Sequence, residues 1–122
     1  MKRIILLESD PFFASILIHR LRDASFEVEH AMHGEEGWRL LEENPPDVLL
    51  LDIVLPRKDG FQILEAKQSH PTLARVPTFI LTKLATPEDI ARCFALGIKE
   101  YFIKTHHSLD QVVKRVGEEM PL

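Results

Sequence analysis

Reactive or charged side chains follow directly on apolar runs at four places in this chain. Glu8-Ser9-Asp10 comes after Ile4-Ile5-Leu6-Leu7, Asp52 after Val48-Leu49-Leu50-Leu51, Thr82 after Phe79-Ile80-Leu81, and Lys104 after Tyr101-Phe102-Ile103. Brought together, they would make a small site of carboxylates, a hydroxyl and an ammonium. Crowded carboxylates repel, so such a cluster is tolerable only with a counter-charge between them. Mg2+ is the natural occupant, because a hard divalent cation takes a few carboxylates plus water and phosphate oxygens. Lys104 supplies a second positive point. With metal on one side and Lys104 and the Thr82 hydroxyl on the other, the set suits a phosphoryl group, with Asp52 as nucleophile. Taken alone, Asp52 reads equally well as the cap of the following turn, Leu55-Pro56-Arg57-Lys58-Asp59-Gly60, where Asp is common. The residues at the other strand ends favour chemistry.

Collecting those residues requires a fold that brings strand ends to one edge. Short apolar runs bounded by Pro and Gly read as strands buried on both faces: Ile4 to Leu7, Val48 to Leu51, Val76 to Thr82 and Lys99 to Ile103. Phe26 to Ala31 alternates apolar and polar, as a half-exposed edge strand does. Between the strands, apolar residues recur at helical spacing. Pro11 opens a first helix, capped by Asp10 or Ser9, that runs through Phe13, Leu17 and Leu21 to about Ala24. Gly34 to Glu43 is a second helix, ended by Asn44-Pro45-Pro46, and Phe61 to Lys67 a third. The fourth starts at Pro87, with Ile90, Cys93, Phe94 and Leu96 inward and Gly97 at its C-terminus. Ser108 caps the fifth, whose buried stripe is Leu109, Val112, Val113 and Val116. Strand and helix alternate five times, which implies an α/β fold with a parallel sheet covered on both sides and right-handed crossovers. Ligands in such sheets bind at the carboxyl ends of the strands.

The totals agree. The 122 residues fit one domain, 1–122, and composition is ordinary for a globular protein, with 45% hydrophobic and 28% charged residues. The net charge of -4 suggests neither nucleic acid nor a membrane surface as a direct partner. Cys93 is the only cysteine, in keeping with a reducing cytoplasm. Met1-Lys2-Arg3 before Ile4 to Leu7 has the order of a signal peptide, but Glu8 and Asp10 cut the apolar run too short for one. The six histidines are scattered or adjacent rather than spaced as ligands on one face, and read as surface or loop residues.

Over its whole length the chain resembles the receiver domain of two-component response regulators, the CheY-like family. The resemblance is carried by the acid cluster after the first strand, the D-x-x-x-P-x-x-D-G pattern from Asp52 to Gly60, Thr82 after the fourth strand, and Tyr101-x-x-Lys104. It implies a doubly wound, five-stranded parallel sheet in the order 2-1-3-4-5 with helices on both faces. It implies that Asp52 takes a phosphoryl group from a histidine kinase or phosphotransfer protein as an acyl phosphate. Thr82 and Lys104 would contact phosphoryl oxygens. Mg2+ would be held by Glu8, Asp10, Asp52 and the Val54 carbonyl. Thr82 and Tyr101 would form the switch, and the fourth helix, fifth strand and fifth helix would bind a downstream target or a second receiver. Such a protein catalyses its own phosphorylation and dephosphorylation without being a turnover enzyme.

Three positions depart from the family pattern. Receivers usually carry two adjacent acids after the first strand, the second a direct metal ligand; here that position is Ser9, a neutral and weaker donor. Thr105 follows Lys104 where the family has proline after a cis bond, and a trans bond is expected here. Val54 and Leu84, two residues after Asp52 and Thr82, are apolar, and the resemblance then implies slow self-dephosphorylation. The alternative function is a phosphorylation-independent protein-binding module with a weakened metal site. A Mg2+-dependent phosphohydrolase ranks lower, because Val54 stands where such an enzyme would carry a second acid.

Overall fold

The computed structural model describes residues 1–119. Five strands, β1 (Arg3–Leu7), β2 (Glu27–Ala31), β3 (Val48–Leu51), β4 (Thr78–Thr82) and β5 (Glu100–Ile103), form one sheet in the order β2-β1-β3-β4-β5. All neighbours are parallel, and Leu7 pairs with Leu51, Leu51 with Ile80, and Thr82 with Ile103. The helices are α1 (Pro11–Asp23), α2 (Gly34–Glu43), α3 (Gly60–Gln68), α4 (Pro87–Ala95) and α5 (Leu109–Glu119).

Successive strand residues point to opposite faces, and the apolar runs feed two cores at once. Ile5, Leu7, Leu49, Leu51 and Ile80 face Leu41 of α2, Ile63 and Leu64 of α3, and Cys93 of α4. Ile4, Leu6, Val48, Leu50, Phe79 and Leu81 face Leu17 and Leu21 of α1 and Val112 and Val116 of α5. A one-residue slip in β3 would exchange these two sets, so the register that places Asp52 is held from both sides.

Helix ends are closed by side chains. Asp10 caps α1, Thr86 caps α4, and Asp59 and Gln62 form a reciprocal capping box on α3. Ser108 and Gln111 do the same for α5, with N···O distances of 2.8 and 3.2 Å. His33 caps α2, its Nδ1 accepting from the Glu36 amide at 3.2 Å, a role its residue type does not announce. Gly97, with φ at 90°, ends α4 in the left-handed region that glycine adopts without strain. Two expectations need correction. β4 begins at Thr78 rather than Val76, because a 3-10 turn over Leu73–Arg75 precedes it and the Val76 amide closes that turn on Leu73. Phe94 is 47% exposed, because α4 turns Cys93 inward and sends the next residue outward.

Candidate functional site

β1 and β3 carry their acids into contact with β5. The Asp52 amide continues the β1–β3 ladder by bonding the Leu7 carbonyl at 3.0 Å, and the Glu8 amide bonds the Ala31 carbonyl at 3.0 Å. Both side chains are buried, Glu8 at 1% and Asp52 at 6% exposure. The Lys104 ammonium lies between them, 2.7 Å from Glu8 Oε1 and 2.9 Å from Asp52 Oδ2. Every carboxylate oxygen is engaged, since Asp52 Oδ1 accepts from the Val54 amide at 3.0 Å and Glu8 Oε2 from the Asp10 amide at 3.0 Å. Phe13 of α1 puts its ring face 4.2 Å from the Lys104 ammonium, a cation–π contact that fixes the lysine from a third side.

One ammonium shared by two buried carboxylates does not neutralise both. Burial pushes the Glu8 carboxyl above its ordinary value, and the nearby Asp52 charge adds to this against the pull of Lys104. Burial alone would depress the Lys104 ammonium, yet its hydrogen bonds to Glu8 and Asp52 outweigh burial and raise it. The site therefore holds a fixed cation and an excess of negative charge, a setting that favours a further cation.

Thr82 is fully buried at the end of β4. Its Oγ1 accepts from the Leu84 amide at a long 3.5 Å, and the Tyr101 hydroxyl donates to the Leu84 carbonyl at 2.9 Å. Burial pushes the Tyr101 phenol up to about 12, so it stays a proton donor. Leu84 thus touches the two predicted switch residues through its own backbone, a role hidden by its apolar side chain.

An open cleft of about 190 Å³ lies over Asp52 and Lys104 and is lined also by Glu8, Ser9, Asp10, Val54 and Lys83. Thr82 sits below it, outside that lining. The loop after Asp52 is pressed close to the site: a Cβ at Gly60 would lie 2.6 Å from Ile53 Cα and 2.9 Å from the Asp52 carbonyl oxygen. Glycine is the residue that lets α3 start there. The Lys104–Thr105 bond is trans, as no cis peptide bond occurs among the described residues.

The candidate metal donors fit a hard divalent cation in type, being carboxylate, carbonyl and hydroxyl oxygens. Their arrangement is sparse. Asp10 Oδ1 is occupied by the α1 cap, accepting from the Phe12 and Phe13 amides at 3.0 and 3.2 Å. The Ser9 hydroxyl reaches the Val54 carbonyl at 3.5 Å. Among the described residues no three His, Cys, Asp or Glu side chains converge as a metal-binding group.

Residues 4–116 match the family described as the response regulator receiver domain. The chain belongs to that family. Its fold is the CheY-like one, and receivers are signalling domains of two-component systems rather than conventional turnover enzymes, partnered by histidine kinases or phosphotransfer proteins. The gliding motility regulatory protein of Myxococcus xanthus is 32% identical over 102 residues, covering 84% of this chain and 13% of that protein. This receiver spans about half or less of the length of the curated relatives it matches. The phosphorylated cyanobacterial phytochrome response regulator RcpA superposes with a TM-score of 0.86 at 29% identity, over 96% of this chain and 91% of that one. The Mn2+-bound form of response regulator Rcp1 gives 0.84 at 25% identity, over 97% and 93%. Within this receiver, Glu8, Asp52 and Lys104 touch, Thr82 lies beside them in sequence register with Ile103, and Phe13 and Lys83 join a site where sequence reasoning had not put them. No helix among the described residues is long and apolar enough to cross a membrane.

Proposed function

We propose that this receiver accepts a phosphoryl group on Asp52 from the phosphohistidine of a histidine kinase or phosphotransfer protein, and signals through α4, β5 and α5 to a target protein or a second receiver. The observation that carries the reading is the Asp52–Lys104–Glu8 triad, a buried carboxylate held by an ammonium at the mouth of an open cleft. An Asp52 oxygen bonds phosphorus while the phosphorus–nitrogen bond of the donor breaks, and the electron pair leaves with the imidazole. Lys104 orients the carboxylate through its 2.9 Å contact to Asp52 Oδ2, and its charge offsets the charge arriving with the phosphoryl oxygens. Glu8, Asp10, Asp52 and the Val54 carbonyl would hold Mg2+, which supplies further charge neutralisation when bound. Phosphorylation gives the buried Thr82 hydroxyl a phosphoryl oxygen to bond. Its long contact to the Leu84 amide is the one it would give up, and Tyr101, tied to the same residue, would then reorient on the α4–β5 face. Exposed Val54 and apolar Leu84 offer attacking water no polar partner, which supports a long-lived acyl phosphate.

The test is intact mass after incubation with phosphoramidate, with and without Mg2+. A phosphoryl adduct on the unaltered protein, absent from Asp52→Asn, supports the proposal. No adduct under either condition refutes it and leaves the phosphorylation-independent binding module, which the sparse metal donors favour.

A further inference from the structure

The ion pairs at the strand ends leave one cation over. Lys83, the residue after Thr82, lines the cleft above Asp52 and Lys104. It is exposed and takes part in none of the ion pairs among the described residues. Lys104 is already committed to Glu8 and Asp52 at 2.7 and 2.9 Å. Asp10 is turned into the α1 cap, and Ser9 brings no charge to a metal. A phosphoryl group approaching Asp52 adds negative charge where the fixed ammonium is shared between two carboxylates. The unshared ammonium on the same cleft is that of Lys83, and its long flexible stem allows it to turn inward.

We propose that Lys83 is a phosphoryl-binding residue: its ammonium takes an oxygen of the phosphodonor, and then of the acyl phosphate on Asp52, adding positive charge at a site whose metal donors Ser9 leaves one carboxylate short. The inference rests on the phosphoacceptor reading. Lys83 gives up no proton in the step; the Asp52 oxygen–phosphorus bond forms, the phosphorus–nitrogen bond breaks, and the leaving nitrogen takes its proton from water. A unit charge about 4 Å from another in a wet cleft contributes roughly 1 kcal/mol, more where water is partly excluded, so losing it slows transfer about five- to tenfold. The same ammonium repels a divalent cation, so its removal strengthens Mg2+ binding.

The experiment compares the unaltered protein, K83Q, K83R and D52N by the time course of phosphoramidate labelling, with and without Mg2+, and by calorimetric Mg2+ titration. K83Q is expected to label about five- to tenfold more slowly, with the larger deficit in the absence of Mg2+ and a smaller one at high salt. K83R is expected to restore most of the rate, and Mg2+ affinity in K83Q to rise. These opposite movements separate a lost phosphoryl contact from a damaged site, which would lower both. K83Q labelling at the unaltered rate in both conditions, or labelling and Mg2+ affinity falling together, overturns the role of Lys83 and leaves Asp52 as acceptor. An unaltered protein that never labels overturns both.

Discussion

Replacing Lys104 with methionine removes the cation from a triad buried to 7% exposure at the Lys104 side chain and leaves Glu8 and Asp52 facing each other. Each ammonium–oxygen contact, at 2.7 and 2.9 Å, carries about 6 kcal/mol of gross Coulomb energy at an effective dielectric of about 20. Desolvation of the ions cancels much of that, and truncating one partner of a buried pair costs about 3–5 kcal/mol net. Against a domain stability of about 5–15 kcal/mol such a loss is large, and it lowers the urea midpoint by roughly 2 M. The deficit depends on pH, and its sign follows from the groups involved. Lys104 is held above its ordinary value, so its contribution in the unaltered protein is fully present at neutral pH and is lost only as pH rises through that raised value. Glu8 is also raised, so its protonated form favours the folded state at low pH, an advantage lost as pH climbs through its folded value. In K104M that value climbs further. The deficit against the unaltered protein is therefore largest near pH 7 and shrinks as pH falls toward about 4.3, the unfolded Glu value, because Glu8 takes up a proton. Urea titrations at several pH values, with E8Q/K104M as the companion that removes one of the two carboxylates, measure this. A K104M protein as stable as the unaltered one, or a deficit of constant size from pH 7 to pH 5, would refute the electrostatic account of the triad.

Tyr101→Phe removes the hydroxyl that donates to the Leu84 carbonyl at 2.9 Å while keeping the ring, and is expected to cost about 0.5–1.5 kcal/mol in urea unfolding. Phosphoramidate labelling of Asp52 should proceed undiminished in Y101F, since Tyr101 is not among the residues lining the cleft and its hydroxyl is given to the Leu84 carbonyl; a large loss of labelling would place it in the chemistry. Arg57 sits at φ 71° in the loop between β3 and α3, a conformation costing a non-glycine residue about 1–2 kcal/mol. Arg57→Gly relieves this but gains unfolded-chain entropy, so thermal unfolding is expected to show a stabilisation of no more than about 1 kcal/mol, and a clear destabilisation would show that the Arg57 side chain holds the loop.

The strands were legible because β1, β3 and β4 are buried on both faces and so read as unbroken apolar runs, each ended by the polar residue that matters. The two cores were implicit in the same runs, since alternation sends Leu49 and Leu50 to opposite layers whatever the chain does elsewhere. Contacts that only the tertiary fold creates were not legible. Phe13 is an ordinary apolar residue at helical spacing until β5 brings Lys104 over its ring. Lys83 is an ordinary polar residue beside Thr82 until the fold sets it on the cleft over Asp52 and Lys104. His33 hides its cap because imidazole is rarely read as one. Asp10 is the instructive case. A carboxylate just before a helix suits both a cap and a metal ligand, and sequence offers no means to choose because the same oxygens serve both. The structure commits Oδ1 to the Phe12 and Phe13 amides, so any share Asp10 takes in metal binding must come from its other oxygen or at the expense of the α1 cap, which is worth about 1 kcal/mol. With Ser9 where receivers usually carry a second acid, the proposed Mg2+ site would draw on Asp10, and any use of its Oδ1 would compete with the cap of α1.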